Sequence, residues 1–169
     1  MVVLNSVHIP LKDAISSLNK ANLAETVEIT DRWYIKNFGK KPEFVLAALN
    51  PHAGENGVLG NEEIEILKPV VLKATKCGIK ISGPYPADTV FFKNKNEDSN
   101  EPDKIIVALY HDQGLIPFKL NGLDTGINTT IGLPFLRTSV DHGTAFDIAG
   151  KNLAELNPML VALSMTRKI

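Results

Sequence analysis

Histidine is the residue type whose positions in this sequence most clearly suggest chemistry. Three of the four histidines come directly after an apolar run of strand length: His8 after "VVLNSV", His52 after "FVLAALNP" and His111 after "IIVALY". If these runs are parallel strands, their carboxyl ends lie along one edge of a sheet, where ligand sites form. Three neutral imidazoles there would suit a divalent metal such as zinc and leave positions for a substrate. The alternative is that each histidine is an ordinary structural residue, because spacing alone does not prove convergence.

Other polar residues in the chain could bind an anion or assist the histidines. Lys119 lies in "GLIPFK", and Arg137 follows "LPFL". Arginine grips a phosphate or carboxylate through two parallel hydrogen bonds, whereas lysine acts as a point charge. The remaining candidates are Asp88, after a proline-rich turn, Asp112 and Gln113, directly after His111, and Asn128, among threonines. The competing interpretation of any one of them is a surface residue that serves solubility.

The segment "GENGVLG" next to His52 is rich in glycine but does not match a nucleotide-binding loop. It lacks the Lys-Ser/Thr ending of a P-loop, and it is not the Gly-x-Gly-x-x-Gly turn of a dinucleotide-binding fold. Glycine tolerates backbone conformations that other residues avoid. The glycines therefore predict a tight turn around His52.

The segments that must position these residues alternate between strand and helix patterns. Strands are predicted at 2–7, 43–51, 105–111 and 126–134, with a short one at "IKISG", and the continuous apolar runs are typical of buried parallel strands. Two helices are predicted between residues 11 and 41, with a break near 19–22. A third is predicted from Asn61, a possible cap, to about Cys77, where Gly78 suits its end. This alternation predicts an α/β fold with a largely parallel sheet.

The remaining segments carry simpler expectations. "PYPADTVFF" is predicted to be a turn region followed by apolar residues, and a last helix is predicted over roughly 157–168. The polar stretch 93–104 has no periodicity, so it is predicted to be an exposed, mobile loop. The single cysteine, Cys77, is expected to be a small packed residue.

The composition is that of an ordinary globular protein. The 169 residues are 44% hydrophobic and 22% charged, and the net charge of −1 gives no basic field for nucleic acid. No apolar run is long enough to span a membrane, and no signal peptide pattern is visible. One cysteine cannot form an internal disulfide. These features predict a protein of the reducing cytoplasm.

Five longer blocks occur in order along the chain: "HIPL", "LNPHAGENGVLGNEE", "GPYPADTVF", "ALYHDQGLIPFK" and "GINTTIGLPFLRTSVDHGTAFDIAGK". Together they resemble the 4-hydroxythreonine-4-phosphate dehydrogenase family of vitamin B6 biosynthesis. Part of the last block, "DHGTAFDIAG", is also similar to the cofactor-binding segment of isocitrate and isopropylmalate dehydrogenases. The resemblance therefore implies an α/β fold of that wider class and a dehydrogenase that uses NAD or NADP.

The resemblance also implies a role for individual residues. A divalent metal (zinc, cobalt or magnesium) would be held by His8, His52 and His111. A phosphorylated substrate would contact Lys119, Asn128 and Arg137, and the adenosine part of the nucleotide would contact His142, Gly143 and Thr144. The catalytic candidates are Asp88, Asp112 and Lys119, the two aspartates as proton-handling groups beside the metal. The family forms homodimers with a shared active site.

Family members are about twice as long as this chain, and the part that precedes "HIPL" in them is absent here. The expected arrangement is a dimerising domain over 1–146, which binds metal and substrate. The segment 147–169 packs in the family on the N-terminal domain. The final helix is therefore expected to be frayed, or to cover exposed apolar surface by association.

Several hypotheses about function remain open at this point. The first is a metal- and NAD-dependent dehydrogenase, active alone or completed by the other half as a separate chain. The second is a non-catalytic, dimerising, metal-binding fragment. The third is a related dehydrogenase acting on phosphorylated four-carbon sugar acids or on aromatic dihydrodiols, and Lys119, Asn128 and Arg137 favour a phosphorylated substrate. A phosphate acyltransferase on the same broad fold is disfavoured, because it does not need three metal-binding histidines.

Overall fold

A four-stranded parallel sheet forms the centre of the first part of the molecule. The computed structural model describes residues 1–93, 103–122 and 125–168, and the chain divides into two units, 1–116 and 117–169. The strands are β1 (Val2–Leu4), β2 (Glu43–Ala47), β3 (Ile81–Tyr85) and β4 (Lys104–Ala108), in the order β1-β4-β2-β3. All three pairings are parallel. The predicted α/β fold with a largely parallel sheet is confirmed.

The helices of the first unit are α1 (Leu11–Ser16), α2 (Lys20–Phe38), a π-helical turn (Glu63–Leu67) continuous with α3 (Lys68–Lys76), and α4 (Ala87–Lys93). All of them except α4 begin and end close to where the sequence signals place them. Asn19 caps α2, because its side-chain oxygen accepts hydrogen bonds from the backbone N–H groups of Ala21 and Asn22, both at 3.0 Å. This cap explains the predicted break between the first two helices. α5 (His111–Gly122) begins in the first unit and ends in the second.

Both faces of the sheet are buried, as the continuous apolar runs predict. On one face Phe44 and Leu46 of β2 pack with Leu23 and Val27 of α2. The same cluster includes Ile105 and Val107 of β4 and Leu67 and Val70 of the π-helical turn and α3. The intervening residues Val45, Ala47 and Ile106 face the other way and pack with Val90 of α4. This alternation fixes the register of β2 and β4, and with it the position of the residues that follow them.

A polar contact ties α2 to the start of β4. The hydroxyl of Tyr34 donates a hydrogen bond to Asp103, and the ammonium group of Lys40 lies 2.9 Å from the same carboxylate. The hydrogen bond from Tyr34 and then that from Lys40 lower the pKa of Asp103, whereas burial raises the pKa of Tyr34. Because the folded state favours the ionised carboxylate, this contribution is present above the ordinary pKa of Asp103. It is lost as the pH falls through the lowered value.

The second unit contains a β-hairpin and a helix. β5 (Ile127–Thr130) pairs antiparallel with β6 (Arg137–Val140), and α6 (Asn157–Lys168) lies against the hairpin. The hydroxyl of Thr138 donates to the carbonyl of Ala162 at 3.1 Å, and Ala162 is buried. The predicted strand within 126–134 and the last helix are confirmed, and the helix is formed over its described length. Its residues Met159, Leu160 and Leu163 are exposed.

Several expectations differ from the structure in detail. β1 ends at Leu4, and "PYPADTVFF" forms the end of β3 and α4 rather than a turn region. α4 forms because Val90 is buried against the sheet and Pro86 precedes the first turn, where its missing N–H is no loss. Cys77 is exposed, not packed, because it follows the end of α3 beyond the last buried residue of that helix, Ala74. The predicted mobile loop at 93–104 lies almost entirely outside the described residues.

Of the helices that the structure describes, none combines the length and the apolar character that a membrane crossing requires.

Candidate metal and substrate sites

The three strand-end histidines follow three neighbouring strands. His8 comes after β1, His111 after β4 and His52 after β2, and these strands are adjacent and parallel in the order β1-β4-β2. The predicted strands before the three histidines are therefore parallel neighbours, although each strand ends three to five residues before its histidine. The imidazole rings of His8 and His111 are 5.4 Å apart between centroids and tilted by 44°. A cavity of about 280 Å³ lies beside this pair, with Val7, Leu11 and Tyr110 among its walls.

Two of the histidines are each held by the carboxylate of a residue one to three positions further along the chain. Nδ1 of His52 lies 2.6 Å from Oε1 of Glu55, and Nδ1 of His111 lies 2.6 Å from Oδ1 of Asp112. When each ring donates its Nδ1–H to the carboxylate, the other nitrogen, Nε2, is left as an acceptor. A carboxylate behind the ring is the usual arrangement of metal-binding histidines. Each of the two histidines therefore keeps one ring nitrogen that could bind a cation.

The hydrogen bond to Glu55 raises the pKa of His52 above its ordinary value. The negative charge of Glu55 acts in the same direction, as does that of Asp88 in the first turn of α4, while burial opposes them. Protonated imidazole cannot bind a metal, so a cation at His52 has to displace a proton that the carboxylates favour. Metal binding through His52 is therefore expected to weaken as the pH falls.

The structure brings together two of the three predicted ligands. Among the side chains that it describes, no three histidine, cysteine, aspartate or glutamate residues lie close enough to hold a metal ion. His52 is paired with Glu55, and His8 and His111 with each other. The three-histidine site remains a prediction, with its donors at the same edge of the sheet.

Gln113 fixes the ends of the two central strands to each other. It is a buried residue of α5; its Oε1 accepts from the N–H of Leu109 and its Nε2 donates to the carbonyl of Ala48, both at 2.7 Å. Leu109 directly follows β4, and Ala48 directly follows β2. The side chain therefore joins the two segments that lead to His111 and His52.

We expect Gln113→Leu to lower the free energy of unfolding by roughly 2–4 kcal/mol. The substitution leaves one buried N–H and one buried carbonyl unpaired, and each such group costs about 1–3 kcal/mol. Urea unfolding followed by circular dichroism measures the change. Asn121→Leu, at an exposed position of the same helix, serves as the control and should change stability by less than about 0.5 kcal/mol. Equal effects of the two substitutions would contradict the role given to Gln113.

The predicted substrate contacts lie in the second unit. Thr130 pairs with Arg137 and Asn128 with Ser139, so Asn128 and Arg137 share the hairpin face opposite to Thr138, which contacts α6. Arg137 donates to the hydroxyl of Thr130 at 3.0 Å and is exposed. This face therefore presents one cationic and one amide side chain to solvent.

Lys119 is held beside the end of the same hairpin. Its ammonium group donates to the backbone carbonyl of Asp141 at 3.2 Å and lies 3.3 Å from that residue's Oδ2. This carboxylate oxygen is buried and has no directed hydrogen bond among the described residues, so the ion pair with Lys119 is its principal contact. No local sequence pattern singles out Asp141, which restrains Lys119, a predicted substrate-binding residue.

The predicted nucleotide contacts follow β6. His142, Gly143 and Thr144 are all exposed, and Nδ1 of His142 donates to the carbonyl of Gly143 at 3.0 Å. Asp88, in α4, and Asp112, at the start of α5, are exposed as well. Each of these residues is accessible, as a ligand contact requires.

Glu63 is a residue of the candidate site that sequence reasoning missed. Its side chain is buried and accepts hydrogen bonds from the backbone before His52. Its place within the block "LNPHAGENGVLGNEE" was the available signal.

The comparisons with known proteins agree with one another. The chain matches a family model described as "Pyridoxal phosphate biosynthetic protein PdxA" over residues 1–166. A 4-hydroxythreonine-4-phosphate dehydrogenase from Desulforapulum autotrophicum is 46% identical over 165 residues, 97% of this chain and 47% of that protein. A relative from Oceanobacillus iheyensis, provisionally named a D-threonate 4-phosphate dehydrogenase, is 44% identical over 96% of this chain and 48% of its own length.

The fold gives the same result. A crystal structure of 4-hydroxythreonine-4-phosphate dehydrogenase from Klebsiella pneumoniae superposes with a TM-score of 0.83 at 39% identity, covering 99% of this chain and 50% of that one. The chain thus spans about half the length of the relatives it matches. The match nevertheless extends along nearly the whole of the present sequence, so the chain belongs to the pyridoxal phosphate biosynthetic protein PdxA family.

Proposed function

We propose that this chain is part of a metal-dependent dehydrogenase that oxidises 4-phosphooxy-L-threonine with NAD or NADP. The product would be a β-keto acid that loses CO2 to give 3-amino-2-oxopropyl phosphate, an intermediate on the way to vitamin B6. The observation that carries the proposal is the placement of His8, His52 and His111 after three neighbouring parallel strands, in a member of this family.

The donor set fits a divalent cation. Neutral imidazoles do not cancel the charge of the ion, and carboxylates behind His52 and His111 favour the tautomer with a free Nε2. A bound cation would supply Lewis-acid polarisation of the substrate hydroxyl, and a bound nicotinamide would supply the hydride acceptor. Asp88 and Asp112 are the proposed proton-handling residues, since oxidation releases the proton of that hydroxyl.

The cationic residues of the second unit would bind the charged ends of the substrate. Arg137 can meet a phosphate or carboxylate with two hydrogen bonds, Lys119 adds a point charge, and Asn128 adds an amide on the hairpin face shared with Arg137. Anchoring the unreactive end orients the reacting carbon, which lowers the entropic part of the barrier. His142, Gly143 and Thr144 would contact the adenosine of the nucleotide.

A homodimer with a shared active site, in the cytoplasm, is part of the proposal. The exposed apolar residues of α6, Met159, Leu160 and Leu163, support association with a further protein surface. The single cysteine, which cannot form an internal disulfide, supports a reducing compartment. The assignment of the fold to the wider class of isocitrate and isopropylmalate dehydrogenases belongs to the same proposal.

Two alternative functions would use the same site residues. A phosphorylated four-carbon sugar acid would use the same anchor, and the Oceanobacillus iheyensis relative is nearly as similar as the first relative named above. A non-catalytic, dimerising metal-binding fragment is the other alternative, because the chain spans about half of its relatives.

The assay follows NADH formation by the purified chain with 4-phosphooxy-L-threonine and with D-threonate 4-phosphate, before and after metal removal. We expect turnover of the first substrate that chelation abolishes and added cobalt restores. Arg137→Ala should raise KM by about 10- to 100-fold, since hydrogen bonds to charged groups contribute about 1.5–3 kcal/mol. Arg137→Lys is the matched control. It keeps the positive charge but cannot donate two parallel hydrogen bonds to one anion, so its KM should lie between that of the unsubstituted chain and that of Arg137→Ala.

The outcomes separate the alternatives. Faster turnover of D-threonate 4-phosphate would assign the sugar-acid activity. Saturable metal binding without turnover of either substrate would favour the non-catalytic fragment. Turnover that persists after complete metal removal would contradict the metal-dependent proposal.

A further inference from the structure

We infer that Glu63 is a positioning residue for His52: its buried carboxylate holds a left-handed turn that places the imidazole at the edge of the sheet. The inference rests on the proposed function insofar as it treats His52 as a metal ligand. The geometry of the turn is independent of that function.

The turn over Pro51–Gly57 has an unusual backbone. His52, Ala53, Gly54, Glu55 and Asn56 all have positive φ angles, between 42° and 78°, with ψ between 0° and 52°. Four of these five residues are not glycine, and an L-residue in this region brings its Cβ too close to the following carbonyl oxygen. Such a conformation persists only where the surroundings hold it, and it is found preferentially at functional sites.

The carboxylate of Glu63 supplies hydrogen bonds directly before the turn. Oε1 accepts from the backbone N–H groups of Leu49 at 2.9 Å and Asn50 at 2.7 Å. Oε2 accepts from the side-chain amide of Asn50 at 2.9 Å. The residue is 1% exposed, so water does not compete for these bonds. The backbone that enters the turn is therefore fixed by one side chain.

The same carboxylate also contacts the middle of the turn. A Cβ added at Gly54 would lie 2.7 Å from Oε2 of Glu63, so the glycine backbone packs directly against the carboxylate. His52 lies between the two contacts, two residues after Asn50 and two before Gly54. Fixing both neighbours restricts where its imidazole can point.

Glu62 provides an internal comparison. It precedes Glu63 and is half-buried, and its Oε2 accepts from the side-chain amide of Asn50 at 2.7 Å. Among the described residues, no backbone N–H group donates a hydrogen bond to the carboxylate of Glu62. The two glutamates therefore have the same chemistry and nearly the same location, but only Glu63 bonds the backbone before the turn.

The test compares Glu63→Gln with Glu62→Gln in the full chain. Glutamine keeps the size of the side chain but replaces one acceptor by a donor, which meets the donating amide of Asn50. The first readout, on metal-free protein, is NMR: hydrogen exchange of the Leu49 and Asn50 amides and the Cα shifts of residues 52–56. The second is the affinity for cobalt by calorimetry, with the visible spectrum of the bound ion.

We expect Glu63→Gln to speed exchange at both amides, to move the Cα shifts toward random-coil values and to weaken cobalt binding by about 10- to 100-fold. Glu62→Gln should change the affinity for cobalt by less than about threefold. This is smaller than the loss of about 10- to 100-fold expected when a residue that orients a metal ligand is substituted. Gly54→Ala should reproduce the effects of Glu63→Gln, because its Cβ would collide with Oε2. Thermal melts and the shifts of β1 and β4 identify any variant that fails to fold.

Unchanged exchange rates and shifts in Glu63→Gln would overturn the inference, as would equal losses in the two glutamine variants. If the unsubstituted chain binds no cobalt, the proposed metal role of His52 fails, and the NMR comparison still decides whether Glu63 holds the turn. Weakened cobalt binding with an unperturbed turn would also overturn the inference, because the loss would then come from charge alone.

Discussion

His111→Ala should reduce the affinity of the chain for cobalt by more than about 100-fold. Substituting a residue that only orients a ligand costs about 10- to 100-fold, so removing a ligand itself should cost more. His111 is the most informative choice, because its ring lies beside that of His8 and its Nδ1 is already held by Asp112. Calorimetric titration of metal-free protein measures the affinity directly.

The matched control is His142→Ala. His142 is exposed, follows β6 and donates to the carbonyl of Gly143, and it has no predicted role in metal binding. We expect the His142→Ala variant to bind cobalt with the same affinity as the unsubstituted chain. Equal losses in both variants would indicate nonspecific binding to exposed imidazoles, and equal retention would remove His111 from the proposed site.

Phe44→Ala should lower the free energy of unfolding of the first unit by about 3–5 kcal/mol. The side chain is fully buried in β2, packed in the cluster that joins the sheet to α2 and α3. Removing a ring from such a position loses its transfer free energy and leaves a cavity. Since small domains are stable by only about 5–15 kcal/mol, the loss is a large share of the total.

Urea unfolding, followed by far-ultraviolet circular dichroism, gives the comparison. Phe92→Ala is the control, because Phe92 is the same residue type on α4 but is 78% exposed. Its substitution should change stability by less than about 0.5 kcal/mol. A loss below about 1 kcal/mol for Phe44→Ala would mean that the cluster rearranges to fill the space, contrary to the close packing described here.

The sheet and most helix ends could be predicted from local patterns. Apolar runs such as "FVLAA" are long enough to identify a strand buried on both faces, and the cap at Asn19 is a short-range signal. The strand-end positions of the histidines follow from these strands. Local patterns did not show α4, α5 or β6. The stability of α4 depends on Val90 packing against β2 and β4, and that of β6 depends on pairing with β5.

The candidate site was harder to predict because its details depend on distant side chains. The glycines around His52 indicated a tight turn. The left-handed form of this turn depends on hydrogen bonds from the backbone to the carboxylate of Glu63 and on the packing of that carboxylate against Gly54. Cys77 was expected to pack because cysteine is usually buried, yet it lies one residue past the end of α3. Residue type did not predict the exposure of this side chain, because its position past the end of a helix determined what surrounds it.

The strand order has a consequence for how the protein is made on the ribosome. β4 lies between β1 and β2, but it is the last of the four strands to be synthesised. Among the four described strands of the sheet, β2 can pair only with β3 before residues 104–108 emerge, and β1 has no neighbour among them until then. The nascent chain therefore carries unpaired strand edges, which are prone to association with other chains. His8 meets His111 only when β4 inserts, so this corner of the molecule forms after the other three strands of the sheet have been synthesised.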